Sequence, residues 1–339
     1  MKKLKPAINT GSLLLLKWST TRLVFSLAFA FALITNCKKA NCGSSSSDLF
    51  APPFDSPIWS PDEQFLGFNH TPAYDFSSAA DGCGNTYSLF KLKTDSSGFW
   101  LVNRDGTNLH RVLNFNLLHP SWSPDGQWLA FCNGGQLYKM HFDGVLFDTT
   151  NIIKISDGTS RDFFPTWNEG GDSLYFDSNH DHNGPSQIYK ISASGGRYIL
   201  IANKGVDSIY SREPFYAKTG EIIHVRGDSL SLYVFSMDTL GKNVQQLCAF
   251  AGSYINPNLP SKVNDVTFYE DYGIWARNKA ESKFRKIINN SSVGYSVSKT
   301  GVIAFVNFNL SALATVDKFH ACIWLADIDG SNQRPLVTN

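Results

Sequence analysis

The sequence repeats one pattern six times, at intervals of about 45 residues, and this periodicity restricts the folds open to the chain. Three copies begin with a proline that a tryptophan follows two positions later, as in Pro57-Ile58-Trp59. An aromatic residue stands eleven positions after each first proline. The three clear copies have Pro57, Trp59 and Phe68; Pro120, Trp122 and Phe131; and Pro165, Trp167 and Phe176. The degraded copies have Pro214, Tyr216, Gly220 and Val225; Pro257, Leu259 in the tryptophan place and Phe268; and, one residue shorter, Tyr295, Val297, Gly301 and Phe305.

A second landmark follows each start, an apolar residue and then tryptophan or tyrosine. The six pairs are Phe99-Trp100, Leu137-Tyr138, Ile188-Tyr189, Leu232-Tyr233, Ile274-Trp275 and Ile323-Trp324. Tight-turn sequences come next in four copies, such as Asp105-Gly106 and Asp329-Gly330. Asp-Gly favours a hairpin turn because both residues tolerate positive φ, and Ser-Pro-Asp-Gly suits a type I turn.

One repeat therefore predicts four antiparallel strands: the Pro-x-Trp strand, the Phe strand, the Tyr or Trp strand, and a strand after the turn. A lone sheet with large apolar residues on both faces leaves one face exposed, whereas sheets stacked around an axis bury both faces. The sequence predicts an all-β fold, a six-bladed β-propeller of four-stranded antiparallel blades. Trp59, Trp122 and Trp167 are expected to fill the wedges between blades.

The repeat resembles the WD40-like repeat of TolB-type propellers, through Trp122 to Gly126 and the Phe and Tyr strands that follow. Copy three adds Tyr175 to Asn179 and then Pro185 to Tyr189, in that family's strand–loop–strand pattern. The resemblance covers residues 56 to 337. It implies a propeller in the periplasm or at the outer membrane of a bacterium that works by protein–protein contact. The resemblance is to the repeat and not to the whole of TolB, since TolB also carries a separate α/β domain ahead of its propeller.

Residues 1–36 have the pattern of an export signal. Five basic residues and no acid are followed by an apolar run from Leu23 to Thr35. This run is shorter than the ~20 residues that span a bilayer, although an uncleaved anchor is the alternative.

The run ends at Ile34-Thr35-Asn36-Cys37, which resembles a bacterial lipoprotein cleavage box. By that resemblance Cys37 becomes the first mature residue and carries lipid on its sulfur and amine; an ordinary cleaved secretory peptide is the rival. Residues 37–55 form a flexible tether, and residues 56–339 form the propeller. Lipid would hold the protein to a membrane without spanning it.

Charge argues against a nucleic-acid partner. Without the leader the chain has 25 basic and 29 acidic residues, a net charge of −4, and lacks the basic surface that phosphate binding needs. No CxxC spacing indicates a zinc site, and no cofactor is predicted. Cys42 and Cys83 are the one pair that we would test as a disulfide in an oxidising compartment.

Candidate binding residues lie next to the repeat prolines, where inner strands would begin at the mouth of the axial channel. They are Asp55, His119, Arg161, Asp162, Arg212, Glu213 and Asn256. A recognition ring is one interpretation, and a water-filled polar channel is the other. The long insertion from His70 to Ser97 could add a contact surface or cap its own blade.

The loop Asn179-His180-Asp181-His182-Asn183-Gly184 has oxygen side chains spaced like the start of a calcium loop. Its first position is Asn and its twelfth is Lys190, where a bidentate glutamate is expected, so a solvated turn explains Asn179, Asp181 and Asn183 equally.

The sequence thus favours a non-catalytic envelope lipoprotein whose propeller binds a protein or a cell-wall component. No Gly-x-Ser-x-Gly elbow is present to support a hydrolase. The alternative is a carbohydrate-active propeller enzyme resembling a metal-dependent uronide lyase, for which His119 is the credible residue. A sensor-like module for a small ligand is a third possibility.

Overall fold

The computed structural model describes residues 54–80, 86–180, 184–202, 209–228, 231–247, 258–289, 291–307 and 322–337. The predicted leader, Cys37, nearly all of the tether, and the Cys42 and Cys83 pair lie outside these ranges. The chain divides into two units, one of Met1–Ser47 with Ser78–Ser88 and one of Asp48–Ser77 with Leu89–Asn339. The six large sheets lie in the second unit.

Six four-stranded antiparallel sheets make up a six-bladed β-propeller, which confirms the predicted fold class. Blade 1 has β1 (Phe54–Trp59), β2 (Phe65–His70), β5 (Gly98–Asn103) and β6 (His110–Leu113). Blade 2 has β7 (Leu118–Trp122), β8 (Trp128–Asn133), β9 (Gln136–His141) and β10 (Ile153–Lys154). Blade 3 has β11 (Asp162–Trp167), β12 (Ser173–Ser178), β13 (Gln187–Ser192) and β14 (Ile199–Leu200).

Blade 4 has β15 (Tyr210–Tyr216), β16 (Glu221–Gly227), β17 (Leu232–Asp238) and β18 (Gln245–Gln246). Blade 5 has β19 (Asn258–Val263), β20 (Val266–Glu270), β21 (Ile274–Asn278) and β22 (Arg285–Ile288). Blade 6 has β23 (Ser291–Val297), β24 (Ile303–Asn307), β25 (Cys322–Ala326) and β26 (Arg334–Val337). The insertion of blade 1 pairs β3 (Ala73–Ala80) with β4 (Thr86–Leu92), so it is a hairpin rather than an irregular loop.

Every blade comes from one continuous segment, with its strands hydrogen-bonded in sequence order. The first strand of each blade packs against the first strands of its neighbours, which places these six strands innermost around the axis. Blade 1 meets blade 6 through a shared apolar core and a hydrogen bond from the Trp59 backbone N to Ser296 Oγ, 3.2 Å long. The ring therefore closes without strand exchange.

The tryptophans of the repeat lie between blades, as predicted. Trp59, Trp122 and Trp167 are 5–8% exposed. The Trp167 indole N–H donates to the backbone oxygen of Ser121 in blade 2 (2.9 Å). In blade 4 the same place is taken by Tyr216, whose ring stacks on Tyr175 of blade 3. A flat side chain suits this wedge because it buries a large area between two sheets.

The polar side chains of the Ser-Pro-Asp segment stabilise the turn after the first strand in blades 1 and 2. Ser60 Oγ donates to Asp62 Oδ1 (2.6 Å) and accepts from the backbone N of Phe65 (3.2 Å). Blade 2 repeats both contacts, with Ser123 Oγ donating to Asp125 Oδ1 (2.5 Å). These bonds satisfy backbone groups that the short turn leaves without ladder partners.

The start assigned to copy five was wrong. Ser261 pairs with Phe268 in blade 5, just as Ile58 pairs with Gly67 in blade 1. Pro260 therefore occupies the repeat proline position, and Pro257 lies outside the described residues. The wedge place belongs to Lys262 rather than Leu259, and Lys262 forms an ion pair with Glu221 of blade 4.

Helical structure is scarce in the described ranges, which contain a 3-10 turn at Thr94–Ser96 and no α-helix. Accordingly, no helix in these ranges has the length and apolarity needed to cross a membrane.

Candidate functional site

The inner strands share a β-bulge at the end where each strand begins, and we call this end of the axis the channel mouth. The pairing register shifts at this point in all six blades, for example between Asp55 and Ile58. The residue just before the repeat proline has a left-handed backbone in four blades: Ser56 (φ 52°), His119 (φ 50°), Phe164 (φ 53°) and Glu213 (φ 54°).

This backbone conformation is costly for these residues. A residue before proline is disfavoured in α-type conformations, and a left-handed non-glycine residue stores about 1–3 kcal/mol of strain. Bulges of this kind redirect a side chain out of the regular alternation of the strand. One strained geometry therefore presents a serine, a histidine, a phenylalanine and a glutamate at equivalent places around the mouth.

His119 and Phe164 form a stacked pair that joins blades 2 and 3. Their ring centroids are 3.5 Å apart and their planes differ by 20°. The Nδ1 atom of His119 is buried and has no hydrogen-bond partner among the described residues. Burial lowers the pKa of His119 to about 4, so the imidazole is neutral at neutral pH. The pair is a flat, uncharged element of the mouth.

Acidic side chains gather at the mouth in blades 3 to 5. Asp177, Glu213 and Glu270 are 4–6% exposed. Arg212 Nε lies 3.4 Å from Glu213 Oε1, and the Arg212 side chain is 31% exposed. Burial and the charge of Glu213 raise the pKa of Asp177 well above its usual value, and Arg212 opposes this rise. The backbone N of Gly294 donates to Glu270 Oε2 (3.1 Å), which joins blade 5 to blade 6.

Asp162 is fully buried and holds together the chain between blades 2 and 3. Its Oδ2 accepts from Ser156 Oγ and from the Tyr198 hydroxyl, each at 2.6 Å. Its Oδ1 accepts from Ser160 Oγ (2.8 Å) and Ser178 Oγ (2.6 Å). Four donors compensate the burial of this carboxylate, so Asp162 supports the mouth from inside and presents no exposed atom to a partner.

Arg161 and Asp55 complete the predicted set within the described residues. Arg161 is exposed, and its backbone N donates to Asn179 Oδ1 (2.9 Å). Asp55 is half-buried and accepts from Asn69 Nδ2 (2.6 Å). Burial raises the pKa of Asp55, while hydrogen bonds from Asn69 and Ser56 act in the opposite direction. Asn69 also bonds both backbone polar groups of Leu117, at 2.8 Å each, and so joins blade 1 to blade 2.

Three predicted site residues, Asn256, Asp181 and Asn183, lie outside the described ranges. Of the three calcium candidates, only Asn179 is described. The amide oxygen of Asn179 is engaged by Arg161 as described. The described part of the chain contains no group of three or more His, Cys, Asp or Glu residues arranged to hold a metal ion.

The predicted set lacked several residues of the mouth, among them Ser56, Asn69, Phe164, Asp177 and Glu270. Phe164 stands directly before the repeat proline Pro165, just as His119 stands before Pro120, so strict use of the repeat would have included it. Asn69, Asp177 and Glu270 share one position near the end of the second strand of their blades, opposite Asp55, Phe163 and Asn258. Their contacts with the next blade depend on how the sheets stack.

A groove of about 640 Å³ lies at the other end of the axis, lined by turns of blades 1, 2 and 6. Its lining includes Pro61, Asp62, Asp125, His141, Phe142 and Lys299. The carboxylate Oδ1 atoms of Asp62 and Asp125 are engaged in the turns described above, so these groups have a structural function in the repeat.

No family model matches the chain. The chain is 24% identical over 246 residues to an uncharacterized protein of Agrobacterium fabrum, an alignment that covers 61% of this chain and 80% of that protein.

Solved structures with a similar fold include a provisionally named TolB from Agrobacterium tumefaciens, with a TM-score of 0.54 and 18% identity over 68% of this chain and 84% of that one. TolB from Acinetobacter baumannii has a TM-score of 0.54 and 14% identity over 85% of this chain and 64% of that one. An oligogalacturonate lyase from Vibrio parahaemolyticus has a TM-score of 0.51 and 10% identity, with 87% and 80% covered. These similarities show the six-bladed propeller fold that TolB proteins share, and some proteins with similar folds are enzymes.

Proposed function

We propose that the chain is a non-catalytic lipoprotein of the bacterial envelope whose propeller binds an envelope protein or a cell-wall component at the channel mouth. Lipid on Cys37 would hold it to a membrane at the periplasmic face or at the outer membrane. The similarity to TolB proteins supports an envelope role, and the sequence pattern before Cys37 supports export and lipid attachment.

The observation that carries the binding role is the recurrence of one strained geometry with different chemistry. Ser56, His119, Phe164 and Glu213 have the same backbone conformation at equivalent places, yet their side chains differ in size, polarity and charge. Strain of this kind clusters at functional sites. A purely structural device would be free to use glycine, as blade 6 does at Gly294 (φ 110°).

Exposed apolar residues near the mouth supply a contact surface. Leu118 is 45% exposed beside His119, and Tyr210 is 38% exposed at the start of β15. Tyr272 is 85% exposed in the turn between β20 and β21, at the same end of the blades. Tyrosine and arginine are enriched in protein interfaces, and Arg161 is exposed nearby.

Site-specific photo-crosslinking in cells tests the binding surface. A photoreactive phenylalanine analogue at Leu118 or Tyr272 should capture a defined partner. The same analogue at Leu240, which is 66% exposed in the turn after β17 at the other end of the blades, should not. Capture of the same partner from both ends, or from Leu240 alone, would contradict the proposed surface.

Lipid attachment is tested separately by membrane fractionation and mass spectrometry. Cys37→Ala should release the protein from the membrane fraction and abolish the lipid mass, and Cys42→Ala serves as the matched control. Retention of the Cys37→Ala protein in the membrane would support an uncleaved anchor.

The lyase alternative predicts depolymerisation of pectin-like oligosaccharides in the presence of Mn²⁺, with loss of activity in His119→Ala. Activity that the wild type has and the variant lacks would overturn the non-catalytic proposal. The neutral, stacked state of His119 favours a contact role. Among the described residues, its ring contacts are with Phe163 and Phe164.

A further inference from the structure

Three buried carboxylates lie on the blade 3 to blade 5 side of the mouth, near the partly exposed Arg212. Asp177, Glu213 and Glu270 are each at least nine-tenths buried. Arg212 is the cation that acts on both Glu213 and Asp177. Strand β12, which carries Asp177, packs against β15, which carries Arg212 and Glu213. Buried carboxylates are normally paired or hydrogen-bonded, so the contacts of each one matter.

Asp177 has an unsatisfied hydrogen-bond acceptor. Its Oδ1 atom is buried and has no hydrogen-bond partner among the described residues. The equivalent residue of blade 1, Asn69, uses both its amide oxygen and its amide nitrogen. The equivalent residue of blade 5, Glu270, accepts from Gly294. An unsatisfied buried acceptor costs free energy, and such a group in a native protein calls for an explanation.

Burial alone does not explain Asp177, as Asp162 of the same blade shows. Asp162 is buried to the same degree, but four hydroxyl groups donate to its carboxylate. The same blade therefore contains one carboxylate that four hydroxyl groups satisfy and one with an acceptor atom that has no partner among the described residues. Arg212, whose charge acts on Asp177, is 31% exposed.

We propose that the mouth binds a cationic side chain of a partner polypeptide, a guanidinium or primary ammonium group, with the carboxyl groups of Asp177 and Glu213 as its contacts. This inference rests on the proposed binding role of the mouth. A planar guanidinium suits the site because it donates to two carboxylates at once. Arg212 competes for the same carboxylates, so the incoming cation binds beside it and shares Glu213.

The test uses the purified full-length protein and two capped tripeptides, Gly-Arg-Gly and Gly-citrulline-Gly, titrated by ligand-observed NMR. Citrulline matches arginine in shape and lacks its charge. We expect saturable binding of the arginine peptide and at least tenfold weaker binding of the citrulline peptide. Asp177→Asn should weaken arginine binding by about tenfold, because it removes one charge-assisted contact. Asp125→Asn, an equal change of charge at the other end of the axis, should change affinity less than twofold.

A second variant keeps the test decisive if Asp177→Asn alters folding. Arg212→Gln removes the competing cation and should strengthen arginine binding severalfold, an effect that loss of structure would not produce. Equal binding of both peptides, no saturable binding, or an unchanged affinity in Asp177→Asn would overturn the inference. If crosslinking from Leu118 or Tyr272 captures a partner while the peptides fail, this inference alone is wrong; if both fail, so is the proposed function.

Discussion

Glu63 fastens the junction between the first and last blades, and its removal is the sharpest test of how the ring closes. Its Oε1 accepts from the backbone N of Thr300 in blade 6 (2.8 Å). Its Oε2 accepts from the Thr300 hydroxyl and from Arg104 Nη1, each at 2.6 Å. The Glu63 side chain is 8% exposed, whereas Arg104 is 43% exposed. One carboxylate thus links two turns of blade 1 to a turn of blade 6.

Glu63→Ala should lower the free energy of unfolding by about 3 kcal/mol. Hydrogen bonds to a charged group contribute about 1.5–3 kcal/mol each, and the change leaves the Thr300 N–H without its acceptor. The exposed ion pair with Arg104 adds less than about 1 kcal/mol. Thr300→Ala keeps the backbone contact and should cost only about 1 kcal/mol. Glu169→Ala alters an exposed glutamate in the matching turn of blade 3 and should stay within about 0.5 kcal/mol of the wild type.

Urea unfolding at several pH values measures these effects. Burial acts to raise the pKa of Glu63 above 4.5, but hydrogen bonds from Thr300 and the charge of Arg104 outweigh it and lower the pKa. Because the folded pKa lies below the unfolded value, this contribution is complete above about pH 4.5 and is lost as the pH falls through the folded pKa. Glu63→Ala should therefore lose less stability than the wild type on acidification. A cost as small as that of Glu169→Ala would refute the idea that side chains fasten the ring.

Three further outcomes follow from the described contacts. Asp162→Asn replaces acceptors by a donor amide and should cost at least about 2 kcal/mol in urea unfolding, against about 1 for Tyr198→Phe, which removes one of the four bonds; equal costs would contradict the network. NMR titration should place the pKa of His119 near 4, and because the unfolded chain binds the proton first, stability should fall as the pH drops from 6.5 toward 4, less steeply in His119→Gln; a pKa near 6.5 would show that the ring is solvated. Lys262→Met should cost less than about 1 kcal/mol, since Glu221 is 41% exposed and remains hydrated after the change; a larger loss would assign real stability to that pair.

The architecture was predictable because each repeat carries its own turn and wedge chemistry. Ser60 and Asp62 specify a turn through contacts within five residues, and Trp59 marks the wedge, so sequence spacing alone locates them. Copy five failed because its first two strands are joined by a tighter turn, with Val263 paired to Val266. The spacing from the repeat proline to the buried aromatic residue is therefore nine positions, from Pro260 to Tyr269. Pro257 was chosen instead because it stands eleven positions before Phe268, the spacing of the clear copies.

The site was only partly predictable, since its chemistry depends on neighbours that are distant in sequence. His119 and Glu213 could be placed because they precede repeat prolines. The burial of Asp162 depends on Tyr198, 36 positions away, and the open acceptor of Asp177 depends on the inner strand of the next blade. Periodicity indicates which residues begin a strand, but it does not indicate which of their polar atoms the fold satisfies.

Because no blade borrows a strand from another, each sheet can complete its hydrogen bonding as soon as its own segment is available, and the chain can assemble in order from one end. The seam between blades 1 and 6 then differs from the other five junctions in lacking a covalent linker, not in its packing. A circularly permuted chain, with its present ends joined and new ends placed between any other two blades, should form the same ring. The architecture therefore does not require the propeller to start at blade 1.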